Sequence, residues 1–137
     1  MKRRTLTLLA MMLALLFALQ PICGMAVAEE AAQPNNTRAV LIRSADAFID
    51  QGALSTTVRA SIEGENNVTS VKIQLELQKL SDGSYSTIKT WSETFTGRSG
   101  SLEKSKLTSP LSTYRLKATV TAYASGTSES RTIYAYA

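Results

Sequence analysis

Between Leu54 and Glu63, Leu54, Thr56, Val58, Ala60 and Ile62 alternate one for one with Ser55, Thr57, Arg59, Ser61 and Glu63. A two-residue period sends the first set to one face of an extended chain and the second to the other, which predicts a strand wet on one side. Val71, Ile73, Leu75 and Leu77 repeat the pattern against Lys72, Gln74, Glu76 and Gln78, as do Tyr114, Leu116, Ala118, Val120 and Ala122 against their neighbours. Less regular strands are predicted at Val40 to Ile49, with a break near Ser44 to Asp46, and at Ser101 to Leu107 ahead of Pro110. Asp50-Gln51-Gly52 reads as the turn between the first two strands.

Asp82-Gly83 lies between two such runs and tolerates positive φ at both central positions of a type I′ turn, a hairpin signal. Closing that turn at Ser81 and Ser84 predicts Leu77 opposite Ile88 and Glu76 opposite Lys89, an apolar pair inside and a charge pair outside. Taken as a four-residue loop, Ser125-Gly126-Thr127-Ser128 predicts Val120 facing Ile133 and Ala118 facing Ala135.

Seven strands with turn signals between them predict an all-β, antiparallel sandwich of the Ig-like or fibronectin-like kind, with the fourth, third, sixth and seventh strands in one sheet. A small closed barrel is the alternative.

The N-terminus follows a different pattern. Lys2, Arg3 and Arg4 precede an apolar run from Leu6 to Leu19 that only Thr7 interrupts. This is short of the ~20 residues a spanning helix needs, and it suits a secretory signal. Gln20-Pro21 ends the run, and Ala26-Val27-Ala28 supplies an A-x-A cleavage site. The expected organisation is a signal peptide over 1–28, cleaved after Ala28, a flexible tether over 29–38 and a sandwich domain over 39–137. Cys23 follows Gln20-Pro21-Ile22, which lacks the Leu and small residues of a lipidation signal. No second apolar tail follows the domain, so the protein is expected to be released outside the cell, with no membrane association after cleavage.

Composition then narrows the chemistry. The 137 residues include 15 Lys and Arg, 11 Asp and Glu, one Cys and no His. Cleavage after Ala28 removes three of the 15 basic residues and leaves 12 against 11 acidic, a net charge of +1. A basic stripe for nucleic acid is therefore absent. Without His, the imidazole-based triads and dyads are excluded, and one Cys cannot make a zinc site. Ser101 and Lys104 have S-x-x-K spacing, but three residues apart on a strand they point to opposite faces. Glu63-Gly64-Glu65-Asn66-Asn67 is oxygen-rich enough to suggest calcium, yet it lacks the spacing of a calcium loop and reads as a polar turn. No catalytic residue, cofactor or metal is expected.

Val58-x-Ala60, Val71-x-Ile73-x-Leu75-x-Leu77-Gln78-Lys79, Asp82-Gly83-Ser84-Tyr85, Ile88, Thr90-Trp91 and Tyr114-x-Leu116-x-Ala118-x-Val120 together resemble small secreted proteins of clostridial bacteria. That family is of unknown function and joins a signal peptide to one Ig-like or fibronectin-like sandwich. The resemblance spans roughly Ala45 to Tyr136 and rests on general strand and hairpin patterns. It implies a Gram-positive-type secreted protein and brings no functional residue with it.

The aromatics supply the candidate site. In the predicted registers Trp91 lies outside with Gln74 and Lys89, and Tyr123, Tyr134 and Tyr136 lie outside with Lys117, Thr119 and Thr121. One sheet face would carry them all, suited to stacking on sugars or seating a protein. A bulge ahead of Trp91 would instead turn the indole into the core, and exposed tyrosines are also good strand residues. Tyr114 reads as structural, either buried or a tyrosine corner. The expected function is a secreted, non-catalytic module that binds an extracellular glycan or protein. The alternative is a self-associating protein that pairs edge strands.

Overall fold

The computed structural model describes residues 40–137. They form seven strands, β1 (Ile42–Gln51), β2 (Ser55–Gly64), β3 (Val68–Ser81), β4 (Ser84–Thr96), β5 (Ser99–Leu107), β6 (Tyr114–Ala124) and β7 (Thr127–Tyr136). Every pairing is antiparallel, and the strands divide into two sheets ordered β1-β2-β5 and β4-β3-β6-β7. The sheets do not close into a barrel, and the fourth, third, sixth and seventh strands share one of them as the alternation predicts. The signal peptide, its cleavage after Ala28 and the tether fall outside the described residues.

The core lies between the sheets, where the alternating residues meet. Val71, Ile73, Leu75 and Leu77 of β3 and Leu116, Ala118, Val120 and Ala122 of β6 are fully buried, facing Val58, Ala60 and Ile62 of β2. Each such Val, Leu or Ile removed from water contributes about 1.5–3 kcal/mol, so the two central strands carry much of the stability. Tyr114 is buried as well, and its hydroxyl accepts the Ser109 amide at 3.2 Å, tying the start of β6 to the loop before it. Thr56, the one fully buried hydroxyl on β2, bonds to Thr108 Oγ1 at 2.7 Å.

Four expectations are corrected. β1 runs unbroken through Ser44 to Asp46 and on to Gln51, with a register shift between Ile42 and Ser44 in place of the break. Leu54 is 75% exposed in the β1–β2 turn and does not join the core. The β3–β4 hairpin follows the predicted register from Ser81↔Ser84 to Gln78↔Thr87, with positive φ at Asp82 and Gly83. The ladder then shifts, so that Leu77 faces Lys89, Glu76 faces Thr90 and Leu75 faces Trp91. Ile88 is the extra residue of this bulge and is 38% exposed. Finally, β6 and β7 join through a tighter turn closed at Ala124↔Thr127, which puts Ala118 opposite Ile133 and Val120 opposite Arg131. A slip of two residues preserves which side chains face inward.

Each sheet has two edge strands, and three of the four carry charges on the inward parity. β4 has Lys89 and Glu93 opposite Leu77 and Ile73, β5 has Lys104 opposite Val58, and β7 has Glu129 and Arg131 opposite Ala122 and Val120. β4 and β1 also carry register shifts. Inward charges and bulges oppose docking of another strand, because pairing would bury an ion or break the ladder.

Candidate functional site

The outer face of the β4-β3-β6-β7 sheet is built from the polar half of each alternation. Its middle is a ladder of hydroxyls: Thr121 bonds Ser130 at 2.8 Å, and Thr119 meets Thr132 at 3.5 Å. Next to it, Lys117 Nζ lies 3.0 Å from Glu76 Oε2. This is the cross-strand charge pair expected of Glu76, made with β6 and not with Lys89. The carboxylate beside it holds the Lys117 ammonium above the ordinary lysine value.

At the end of this face nearest the Asp82-Gly83 turn, four strands contribute to one cluster. Arg115 of β6 donates from Nε to Gln78 Oε1 of β3 at 2.7 Å, and Gln78 Nε2 donates to Thr87 Oγ1 of β4 at 3.1 Å. These bonds hold the guanidinium beside two rings. Its Cζ is 4.0 Å from the centre of Tyr85 and 4.9 Å from that of Tyr134. Tyr136 meets Tyr85 edge to face, with centroids 6.5 Å apart and an interplanar angle of 70°. Cation–π and T-shaped contacts of this kind each contribute about 0.5–1.5 kcal/mol and fix ring orientation. Tyr134 and Tyr136 remain 45% and 62% exposed.

The predicted site residues therefore separate. Tyr134 and Tyr136 come together, opposite Lys117 and Arg115. Tyr123 is exposed on the same face but at the far end of β6, eight residues and roughly 26 Å from Arg115. Trp91 leaves the outer face altogether. The bulge at Ile88 places it opposite Leu75, half-buried and packed against the core, with Lys89 Nζ 6.0 Å from the ring centre. Tyr85 and Arg115 belong to the site and were not singled out from the sequence. The signal for Tyr85 was available, because the hairpin register already placed it opposite Leu80, two residues from Gln78 on the outer parity.

The other candidates resolve into ordinary surface contacts. Glu63 and Glu65 lie 3.6 and 3.5 Å from the Arg43 guanidinium, and Asn66 Oδ1 accepts from Arg98, so these loop oxygens face cationic side chains. Ser101 sits opposite Ser61 and Lys104 opposite Val58, on opposite faces of β5. Among the described residues no three His, Cys, Asp or Glu side chains gather as a metal site, and no helix is long and apolar enough to cross a membrane. No protein-family model matches the chain, and no relative was found among curated proteins.

Proposed function

We propose that the protein is a secreted, non-catalytic binding module that holds an extracellular glycan on the outer face of its β4-β3-β6-β7 sheet. The observation that carries this reading is the cluster of Tyr85, Arg115, Tyr134 and Tyr136, whose rings are held by cation–π and edge-to-face contacts while Tyr134 and Tyr136 stay open to solvent. Rigid aromatic faces bordered by hydroxyls and amides offer a sugar both stacking and hydrogen bonds, with little side-chain entropy left to lose. A protein partner would call for a larger apolar centre, whereas between this cluster and Tyr123 at the far end the face is mostly Thr, Ser, Gln and the Lys117–Glu76 pair.

The strand order supports an Ig-like or fibronectin-like assignment, in which three strands oppose four, and the Tyr114–Ser109 bond has the form of a tyrosine corner. Export is supported by the basic start, the apolar run and Ala26-Val27-Ala28. Self-association through strand edges has the inward charges of β4 and β5 against it, and the β7 edge is engaged with the start of β1 through Glu129 and Arg131.

The test is to express the full chain with its own leader, collect it from the medium and probe a glycan array. The expected outcome is a secreted species beginning at Glu29 that retains a defined set of glycans. Tyr134→Ala with Tyr136→Ala should abolish retention while leaving the melting transition in place. Retention of no glycan, or retention unchanged in the double variant, would remove the reading.

A further inference from the structure

Arg115 is the one charged member of the tyrosine cluster, and among the described residues no carboxylate forms an ion pair with it. The ion pairs among the described residues join Arg43 to Glu63 and Glu65, Lys117 to Glu76, and Arg131 to Glu129. Glu76, two residues along β3 from Gln78, is thus already engaged by Lys117. Of the five N–H donors of Arg115, Nε is taken by Gln78, and the four on the terminal nitrogens have no protein acceptor among the described residues.

The guanidinium is also held in place. Its carbon lies over the rings of Tyr85 and Tyr134, and the Gln78 bond, itself braced by Thr87, restricts its rotation. A planar fork fixed in this way matches a carboxylate with two parallel hydrogen bonds, and the ordering that an arginine ordinarily undergoes on binding has already taken place. Partial burial among rings strengthens the attraction relative to open water.

Resting on the glycan reading above, we propose that this site takes a carboxylate-bearing sugar, a hexuronate unit of an acidic glycan, with the carboxylate on the terminal nitrogens of Arg115 and the pyranose ring against the exposed tyrosines. The two requirements fall on neighbouring groups, as they do in a hexuronate, whose carboxylate is one bond from the ring. A neutral sugar would leave the guanidinium donors unanswered.

The experiment titrates the secreted protein by calorimetry with oligosaccharides of galacturonate, glucuronate and mannuronate. Each is paired with its carboxyl-reduced neutral counterpart, and a sulfated galactan forms a third arm. The expected result is binding of at least one hexuronate series that falls roughly 10- to 100-fold on carboxyl reduction, the range for hydrogen bonds to a charged group. The same binding should weaken as salt rises. Arg115→Lys keeps the charge, removes the fork and should lose most of that preference.

Equal affinity for acidic and neutral partners would overturn the hexuronate assignment and leave the glycan reading standing. Binding confined to the sulfated arm would overturn it in favour of a different oxyanion. No binding in any arm would overturn the hexuronate assignment, and retention on the glycan array then decides whether the glycan reading stands without it. The comparison of paired ligands on the unaltered protein holds even if the Arg115 variant unfolds.

Discussion

The ring of Phe95 in β4 lies directly on the backbone of Gly100 in β5, so close that a Cβ at Gly100 would stand 2.6 Å from Phe95 Cδ2 and 3.1 Å from Val71 Cγ2. The contact joins the two sheets at one edge of the core, where the ring covers the one position of β5 that has no side chain. Gly100→Ala should push the ring out of its seat and destabilise the domain by about 1–3 kcal/mol, the range for overpacking. Urea denaturation followed by circular dichroism measures it. An unchanged midpoint would mean that Phe95 swings aside without cost.

Glu129 of β7 fastens the opposite edge. Its Oε2 accepts the backbone amides of Leu41 at 2.5 Å and Ile42 at 3.1 Å, while Arg131 donates to Glu129 and to the Ile42 carbonyl. Burial works against ionisation here, but the two amides and the guanidinium outweigh it and hold the carboxyl below its ordinary value of 4.5. A carboxyl lowered by folding contributes its stability in full above the unfolded value and loses it as pH falls through the folded one. Glu129→Gln should therefore cost about 1.5–3 kcal/mol at neutral pH, the range for a charged hydrogen bond. The gap between variant and parent should close below pH 4.5. Urea midpoints at pH 7 and pH 3 would show it.

Trp91 is the only tryptophan in the chain, so its fluorescence reports one location. Half-buried beside Leu75, it should emit to the blue of the unfolded protein and shift red in a single transition coincident with loss of the strand signal. Trp91→Ala should lower stability by about 1–3 kcal/mol, less than for a fully buried indole, and should leave glycan retention unaltered. Retention lost at full stability would return Trp91 to the binding face.

The strands were legible because alternation is local: each residue's face follows from its neighbours, and Asp82-Gly83 fixes its hairpin without help from elsewhere. The bulge at Ile88 was not. Ile88 and Trp91 are three residues apart, so a regular strand cannot turn both inward. The bulge gives up Ile88 and brings both Trp91 and Phe95 to the core side, a gain in buried aromatic surface that is visible only once the facing sheet is in place. The register of β7 has a similar long-range origin, since seating Arg131 opposite Val120 makes sense only when the Ile42 carbonyl is there to receive it. The candidate site was half legible. Tyr134 and Tyr136 followed from parity, whereas Tyr85 reaches Arg115 across an intervening strand, a contact that no single hairpin contains.

Leu75 of β3 and Tyr134 of β7 lie on opposite faces of the same sheet, and a matched pair of substitutions separates fold from function. Leu75 is fully buried at the centre of β3, opposite Trp91 on one side and Ala118 on the other. Leu75→Asp places a carboxylate in the fully buried centre of the core, and the cost of a buried charge exceeds the few kcal/mol of net stability that a domain of this size has to lose. The variant should be unfolded at 25 °C by circular dichroism. Tyr134→Ala removes a ring that is nearly half exposed and one of two that flank Arg115, so it should lower stability by about 1 kcal/mol or less and loosen the guanidinium. A folded Tyr134→Ala with weakened glycan retention is the expected outcome. Equal loss of melting temperature in the two variants would mean that Tyr134 is part of the core scaffold, and the tyrosine face would no longer be a site.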